Sequence, residues 1–196
     1  MKLDLGCGKN KREGFIGVDN ISFDGVDVVM DLCARNVDGK DEADRYRAGV
    51  QTGEPTHSWA EFKGWPWEKE SIEEVYCSHF LEHLTNPERV HFWNELYRVM
   101  KLGAKAQIIV PHWSSGRAYG DPTHQWPPVV EFSFYYLDKG WREVNAPHCG
   151  LECDFQATWG YSVHPSWQVR SQESQMFALG HYREVAQDLI CTVTKR

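Results

Sequence analysis

Short runs of apolar residues alternate with polar loops along the first half of the chain. Apolar runs over 2–5, 15–18 and 26–30 each end at a glycine or an acidic residue, and two more cover 74–78 and 106–110. Continuous apolar runs of this length are typical of strands that a parallel sheet buries on both faces. The pattern therefore predicts five strands in this half.

One helix is marked between the fourth and fifth runs. Thr85 or Asn86 can cap its N-terminus. Pro87 suits the first turn, where its missing N–H costs nothing, and Glu88 complements the helix dipole. The apolar stripe comprises Val90, Trp93, Leu96, Tyr97 and Met100. A turn at Gly103 then leads into the next strand, which gives one strand–helix–strand unit.

The rest of the chain departs from this alternation. Two closing strands are predicted over 155–163 and 188–194, joined by a crossover or a long hairpin. Residues 39–69 are polar with interspersed tryptophans, and residues 112–150 are rich in Pro, Trp, Tyr and His. Long irregular segments of this kind are usually functional or mobile. We treat 1–196 as a single domain and expect these two segments to cover its ligand site.

Composition narrows the possible functions. The formal charge of −7 provides no global positive field for phosphate backbones, so tight nonspecific nucleic-acid binding is disfavoured. No leader and no apolar run of membrane-spanning length is present, and we expect a cytoplasmic protein. The six cysteines are scattered and fit free thiols better than a disulfide framework. Tryptophans outside the regular elements are expected to wall a pocket: Trp59, Trp65, Trp67, Trp113, Trp126 and Trp141.

Polar residues follow four of the predicted strands, where an open α/β sheet binds its ligands. The first strand leads into a Gly-x-Gly turn, whose glycines allow positive φ and close approach of a ligand. Asp19 closes the second strand and can accept both hydroxyl hydrogens of a ribose. Taken alone, each signal also fits a plain turn or a cap. Their combination in the correct order favours a nucleotide-type ligand.

Four segments together resemble class I S-adenosylmethionine-dependent methyltransferases. They are residues 3–8 (LDLGCG), 17–19 (GVD), 78–84 (SHFLEHL) and 96–103 (LYRVMKLG). The resemblance implies a Rossmann-like α/β fold: a mostly parallel seven-stranded sheet flanked by helices, with its last strand antiparallel.

The same resemblance implies S-adenosylmethionine as the cofactor and a set of binding residues. The set comprises Asp4, Leu5, Gly6, Cys7, Gly8, Asp19, Asn20, Asp31, Leu32, Ser78 and His79. It places the methionine part over the glycine turn, the ribose on Asp19, the adenine near Asp31 and Leu32, and the sulfonium near Ser78 and His79.

The chain departs from the family pattern at two points. Asn10 replaces the third glycine, and only ten residues separate Gly8 from Asp19, so Lys9 to Gly14 should be a loop or a single turn. This resembles a subgroup of small members with a truncated first helix, similar to methyltransferase type 11. A dinucleotide needs the missing glycine and helix and is disfavoured. Helices before the first strand are also absent, so another segment or another subunit must supply the lid.

Histidines supply the candidate catalytic groups. His79 follows the fourth strand, where a side chain would face the methyl group, although a histidine that braces the next turn is an equal alternative. His83 is interpreted as structural. His112 follows the fifth strand and is expected to touch substrate. Asp121 and His124 resemble an Asp-Pro-x-His segment of some small family members, in which the aspartate could set the imidazole tautomer; a plain turn fits equally well.

Three other features bear on the function: a possible zinc site, a basic segment and the residues after the fourth strand. His148, Cys149 and Cys153 could hold zinc, but their spacing matches no common zinc motif, and we assign no metal site. The basic and aromatic residues at 45–47 are more simply a solvated insertion than a binding surface. Ser78-His79 stands where DNA amino-methyltransferases carry an Asn or Asp followed by Pro-Pro, which disfavours that activity.

Two hypotheses follow. The first is an enzyme that methylates a small or medium-sized acceptor, a small molecule or a nucleotide-like compound, by in-line displacement. The second is a protein that binds S-adenosylmethionine without methylating anything, as a regulatory or cofactor-consuming protein. A homo-oligomer is compatible with either hypothesis, and neither involves a membrane.

Overall fold

A single mixed sheet organises the protein. The computed structural model describes residues 1–35 and 62–196. Within these ranges the strands are β1 (Lys2–Leu5), β2 (Ile16–Asp19), β3 (Val28–Val29), β4 (Ile72–Ser78), β5 (Met100–Pro111), β6 (Phe155–Val163) and β7 (Ala186–Lys195). Their spatial order is β3-β2-β1-β4-β5-β7-β6. β7 runs antiparallel to both β5 and β6, and all other neighbouring strands are parallel. The predicted fold class is confirmed.

The order of the strands reverses between β1 and β4. The chain builds outward from β1 through β2 to β3, and then returns to β4 on the other side of β1. Leu5 lies beside Val18 on one side and Cys77 on the other, so the three strands end at the same level. Such a switch point leaves a crevice outside the carboxyl ends of the strands, and ligands bind there.

The predicted helix is present as α1 (Asn86–Val99). Thr85 is its N-cap, and the Glu88 carboxylate accepts the Thr85 N–H at 2.7 Å, which satisfies a free donor of the first turn. Trp93, Leu96 and Met100 of the predicted stripe are buried, but Phe92 and Val99 are buried as well, and Val90 is only partly buried. The difference arises because α1 has two apolar sides, one on the sheet and one on a loop groove that Val90 lines.

Shorter helices occupy the loops. They are α2 (Arg117–Gly120), α3 (Lys139–Asn145), α4 (Pro165–Gln168), α5 (Gln172–His181) and two 3-10 helices (Leu81–His83 and Glu131–Leu137). The segment predicted as irregular over 112–150 therefore contains three short helical elements, and β6 connects to β7 through two more. In the described parts of the chain, no helix is long and apolar enough to cross a membrane.

The tryptophans predicted to wall a pocket differ in burial, and Trp67 and Trp141 are partly buried. Trp65 is 4% exposed and belongs to the core, where its indole N–H donates to the Leu32 carbonyl at 2.9 Å. Trp113 and Trp126 are exposed. Trp59 lies outside the described residues. All six cysteines are free thiols, as predicted.

Candidate active site

Two cavities lie side by side at the carboxyl edge of the sheet. The first, here called the glycine-loop cavity, has a volume of about 330 Å³ and is lined by Asp4, Gly6, Cys7, Asn10, Tyr76, Ser78 and His79. The second, the histidine cavity, has a volume of about 320 Å³ and is lined by His79, Glu82, His83, Pro111, Arg117, Gly120, Asp121 and His124. His79 belongs to both linings, so two spaces of small-molecule size adjoin at this residue.

The glycine turn after β1 is fixed by close packing as well as by backbone conformation. Gly6 has φ +66°, and its N–H donates to the Val18 carbonyl at 2.8 Å. A Cβ at this position would lie 2.5 Å from the ring of Phe80, so no larger residue fits. Gly8 also has positive φ, at +52°, but a Cβ there would meet no atom within 4 Å. The Cβ direction of Gly6 is therefore filled by Phe80 and that of Gly8 is open, while Gly6 itself lines the glycine-loop cavity.

A loop stands where the first helix of the family would be, as predicted for Lys9 to Gly14. The Asp4 carboxylate accepts the Arg12 N–H at 2.7 Å, and the Arg12 guanidinium lies 4.6 Å from the centre of the Tyr76 ring. Lys11 pairs with Asp27 at 3.0 Å. Burial raises the pKa of Asp4 above its ordinary value, and the Arg12 N–H opposes this shift. These contacts replace the rigidity that a helix would provide.

Asp19 is held in one orientation by main-chain amides. Its two carboxylate oxygens accept the N–H groups of Gly8 and Ile21, each at 2.9 Å. Each oxygen keeps a further lone pair for a ligand hydroxyl. Asn20 beside it is exposed.

The other predicted cofactor residues differ in how far they are exposed. Asp31 is exposed and accepts the Cys33 N–H at 2.8 Å, which forms a turn after β3. Leu32 and Leu5 are core residues, 3% and 0% exposed. Ser78 is partly buried at the end of β4 and lines the glycine-loop cavity.

His79 occupies a strained and electrostatically defined position. Its φ of +54° lies in the left-handed region, which few residues other than glycine adopt. Its Nδ1 lies 3.2 Å from the Glu82 carboxylate, and its Nε2 lies 3.8 Å from Asp188. The hydrogen bond to Glu82 raises the pKa of His79 above its ordinary value, against the opposing effect of burial. Asp188 is itself paired with Arg117 at 2.8 Å.

His124 lines the histidine cavity, but its orientation has a different origin from the one predicted. Its Nδ1 lies 3.1 Å from the Ala118 carbonyl, whereas its Nε2 is 3.9 Å from the Asp121 carboxylate, beyond hydrogen-bond distance. A carbonyl only accepts hydrogen bonds, so Ala118 sets the tautomer and Asp121 does not. Asp121 instead accepts the N–H and the hydroxyl of Thr123, at 2.8 and 2.7 Å.

His112 is a buried histidine whose two ring nitrogens are both engaged. It is 2% exposed, its Nε2 lies 3.0 Å from Glu131, and its Nδ1 lies 2.9 Å from the Ser114 hydroxyl. It lines neither of the two cavities. The structure therefore gives it a bracing position between β5 and the following loop.

Sequence reasoning missed three groups that surround His79. Glu82 lies in the same motif, three residues further on, and this spacing was an available signal. Arg117 and Asp188 come from α2 and β7, and their pairing depends on the sheet order, which no local pattern reveals.

The sequence offered two other possible sites, a zinc site at residues 148–153 and a basic surface at 45–47. Burial raises the pKa of the Cys153 thiol to about 12, which disfavours the thiolate that zinc requires. Among the residues that the structure describes, His148, Cys149 and Cys153 do not form a three-ligand group. The basic residues at 45–47 lie outside the described residues.

Comparisons with known proteins agree with this fold. No family model and no curated protein sequence matches the chain. Among solved structures, it is similar to an S-adenosylmethionine-dependent methyltransferase from Archaeoglobus fulgidus, with 21% identity, coverage of 99% of this chain and 85% of that chain, and a TM-score of 0.56.

Weaker likenesses are of the same kind. A 1,6-didemethyltoxoflavin-N1-methyltransferase from Burkholderia thailandensis, solved with its substrate and S-adenosylhomocysteine, has 12% identity, coverage of 99% and 70%, and a TM-score of 0.49. A methyltransferase from Methanosarcina mazei has 14% identity, coverage of 99% and 91%, and a TM-score of 0.46. We rest the assignment on the first likeness and on the strand order. The fold is that of the class I S-adenosylmethionine-dependent methyltransferases.

Proposed function

We propose that this protein transfers a methyl group from S-adenosylmethionine to a small or medium-sized acceptor. The observation that carries the proposal is the pair of cavities that share His79. In-line displacement needs the donor sulfur and the acceptor atom on opposite sides of the methyl group. Two cavities that adjoin at one residue could hold the donor and the acceptor in this way.

The glycine-loop cavity is the proposed cofactor site. Gly8 borders open space, and Asp19 presents an oriented carboxylate with spare lone pairs beside it. The methionine part would lie over the turn at 6–8 and the ribose on Asp19. Asn20 and Asp31 are exposed near this edge, while Leu5 and Leu32 would contribute through their main chain, since their side chains are buried.

His79 is the proposed general base. If Glu82 holds the proton of Nδ1, the lone pair of Nε2 is left available to accept a proton from the acceptor. The hydrogen bond to Glu82 raises the pKa of this imidazole above its ordinary value, which makes it a stronger proton acceptor. A carboxylate that fixes the tautomer of a catalytic histidine is a familiar device of proton-transfer enzymes.

The histidine cavity is the proposed acceptor site. Its volume of about 320 Å³ suits a small molecule or a nucleotide-like compound. The loop over 117–124 supplies one wall with Arg117, Asp121 and His124, and therefore covers part of this cavity. Arg117 adds a cation that would favour an acceptor with a negative or electron-rich group.

The test has two stages. Calorimetry with S-adenosylmethionine and S-adenosylhomocysteine should show binding of one molecule per chain, and no binding of either at millimolar concentration would refute the proposal. A screen of metabolite pools with S-adenosylmethionine labelled at the methyl group should then transfer label to a small acceptor. Cofactor binding without transfer to any pool would instead favour a protein that binds the cofactor and does not methylate.

A further inference from the structure

We propose that Glu82, His83 and His124 bind a divalent metal ion of the zinc class at the wall of the histidine cavity. One carboxylate oxygen and two imidazole nitrogens from these residues lie within 4.8 Å of one another. Two histidines and one carboxylate are the donor set with which Zn²⁺ and related ions keep a coordination position open. Among residues 1–35 and 62–196, these three side chains form the one group of three potential metal ligands.

The hydrogen bonds of His124 leave its Nε2 lone pair available. Its Nδ1 lies 3.1 Å from the Ala118 carbonyl, which can only accept a hydrogen bond. The proton of the neutral ring is therefore on Nδ1. A metal-binding histidine commonly donates its second N–H to a main-chain carbonyl in this way, which fixes both its tautomer and its ring plane.

The Nε2 lone pair of His83 is also available, because a side-chain hydroxyl holds the proton of this ring on Nδ1. The Thr123 hydroxyl lies 2.7 Å from the Asp121 carboxylate, and its only proton is donated there. The same hydroxyl lies 2.9 Å from His83 Nδ1, so it must accept from that nitrogen. His83 Nε2 is then unprotonated. The rings of His83 and His124 lie 4.7 Å apart, centre to centre.

Glu82 supplies the second, independent observation. Its side chain is 5% exposed, and Oε1 is bonded to His79, but Oε2 is buried without a hydrogen-bond partner. A buried carboxylate oxygen without a partner is costly, and native structures contain few. A bound cation beside the two imidazoles would satisfy it.

Main-chain contacts hold the two parts of this cluster together. The Gln125 N–H donates to the Glu82 carbonyl at 2.8 Å, directly next to His124. The Arg89 guanidinium donates to the carbonyls of Leu81 and Pro127, at 3.2 and 2.7 Å. The ligands therefore come from two segments that are distant in sequence but firmly joined.

Ion binding requires only a modest contraction. Ligand atoms about 2.0 to 2.1 Å from a tetrahedral zinc ion are about 3.3 Å apart. Since the present separations do not exceed 4.8 Å, the three side chains need to approach one another by at most ~1.5 Å. Rotation of the two imidazoles about their side-chain bonds can supply this movement. The remaining coordination position would open to the histidine cavity, where an oxygen or nitrogen atom of a small molecule can bind.

This inference is independent of methyl transfer, because its readout is metal binding. Protein stripped with a chelator would be titrated with Co²⁺, which gives a visible absorption band when bound by nitrogen and oxygen ligands in a low-symmetry site. We expect one Co²⁺ per chain, displaced by Zn²⁺. No absorption band at millimolar Co²⁺ would overturn the proposal.

Variants locate the site. Loss of a residue that merely orients a metal ligand weakens metal binding about 10- to 100-fold. We expect a loss of Co²⁺ affinity at least as large when a ligand itself is replaced, in Glu82→Gln, His83→Asn and His124→Asn. His148→Asn is the matched control, since this histidine is exposed and outside the cluster, and it should bind Co²⁺ as the unmodified protein does. If only Glu82→Gln fails to fold by circular dichroism, the two histidine variants still decide. Unchanged affinity in both would overturn the assignment.

Thr123 separates positioning from ligation. Thr123→Val removes the hydroxyl that orients His83 but leaves all three ligands, and we expect about a 10-fold loss of Co²⁺ affinity. Thr123→Ser keeps the hydroxyl and should restore it. Equal affinity in the valine and serine variants would contradict the tautomer argument for His83.

Discussion

The two cavities differ in how far their polar side chains are already satisfied. Around the glycine-loop cavity, the carboxylates of Asp4, Asp19 and Asp27 all accept main-chain N–H groups. Around the histidine cavity, Glu82 has an unpartnered oxygen and His124 an Nε2 without a hydrogen bond. The first region uses its acidic groups to shape a loop, whereas the second keeps reactive atoms available.

This difference assigns separate tasks to the two regions. The loop at Lys9 to Gly14 has no helix behind it, and its carboxylate contacts provide the rigidity that a cofactor site needs. The second region has reactive groups whose orientation is set by neighbours such as Ala118 and Thr123. Substitutions in the first should mainly affect stability and cofactor affinity, and those in the second should mainly affect turnover.

The largest expected effect concerns His79. Because asparagine tolerates positive φ, His79→Asn should preserve the backbone while removing the proposed base. We expect kcat to fall by about 10²- to 10⁴-fold. The Kd of S-adenosylhomocysteine should change much less than kcat, because the oriented carboxylate of Asp19 is untouched. Steady-state kinetics and calorimetry check both values, with His148→Asn as the control. Full turnover in the His79 variant would remove the histidine from the mechanism.

The next largest effect is on the free energy of unfolding, at the two glycines of the turn after β1, Gly6 and Gly8. Gly6→Ala combines left-handed strain with a collision against Phe80 and should lower the free energy of unfolding by about 2 to 4 kcal/mol. Gly8→Ala carries only the conformational cost, about 1 to 2 kcal/mol. Urea denaturation measures both. In a Phe80→Ala background, the cost of Gly6→Ala should fall to that of Gly8→Ala; the same cost in both backgrounds would contradict the packing argument.

Asp19→Ala should weaken cofactor binding. Loss of a charged hydrogen-bonding group corresponds to about 1.5 to 3 kcal/mol, or roughly a 10- to 150-fold increase in the Kd of S-adenosylhomocysteine. Asp24→Ala, at an exposed position in the following turn, is the control and should bind normally. Equal affinities of the two variants would show that the ribose lies elsewhere.

The smallest expected effect is a pH dependence at Asp4. Burial raises the pKa of Asp4 in the folded state above the ordinary value of 3.8. Its stabilising contribution is therefore present below that pH and is lost as the pH rises through the folded pKa. Asp4→Asn keeps an oxygen for the Arg12 N–H and has no charge to bury, so its stability relative to the unmodified protein should improve from pH 3.5 to 7. Urea denaturation across this range tests the sign; a relative loss of stability with rising pH would contradict it.

Much of the fold follows from local sequence signals. The residue patterns at Lys2–Leu5 and Phe155–Val163 predict strands with the observed bounds, and Thr85 with Glu88 predicts the start of α1. The shortness of the interval between Gly8 and Asp19 predicts the loop in place of a helix. These features depend on neighbours in the chain, so the sequence reveals them.

The arrangement of the site depends on long-range contacts and was less predictable. Leu32 looks like a cofactor contact in sequence, but the packing of Trp65 places it in the core. The proximity of Glu82 to His124 depends on the Arg89 contacts with two loops, which no periodicity encodes. Of the contacts around His79, the one with Glu82 is local in sequence, whereas those with Asp188 and Arg117 depend on the sheet order.

A crystal structure with S-adenosylhomocysteine tests the central claim most directly, namely that the two regions divide cofactor binding from chemistry. The account predicts the ribose hydroxyls within hydrogen-bond distance of Asp19 and the sulfur between the turn at 6–8 and His79, directed towards the histidine cavity. A ligand seated elsewhere, or a sulfur directed away from His79, would contradict it.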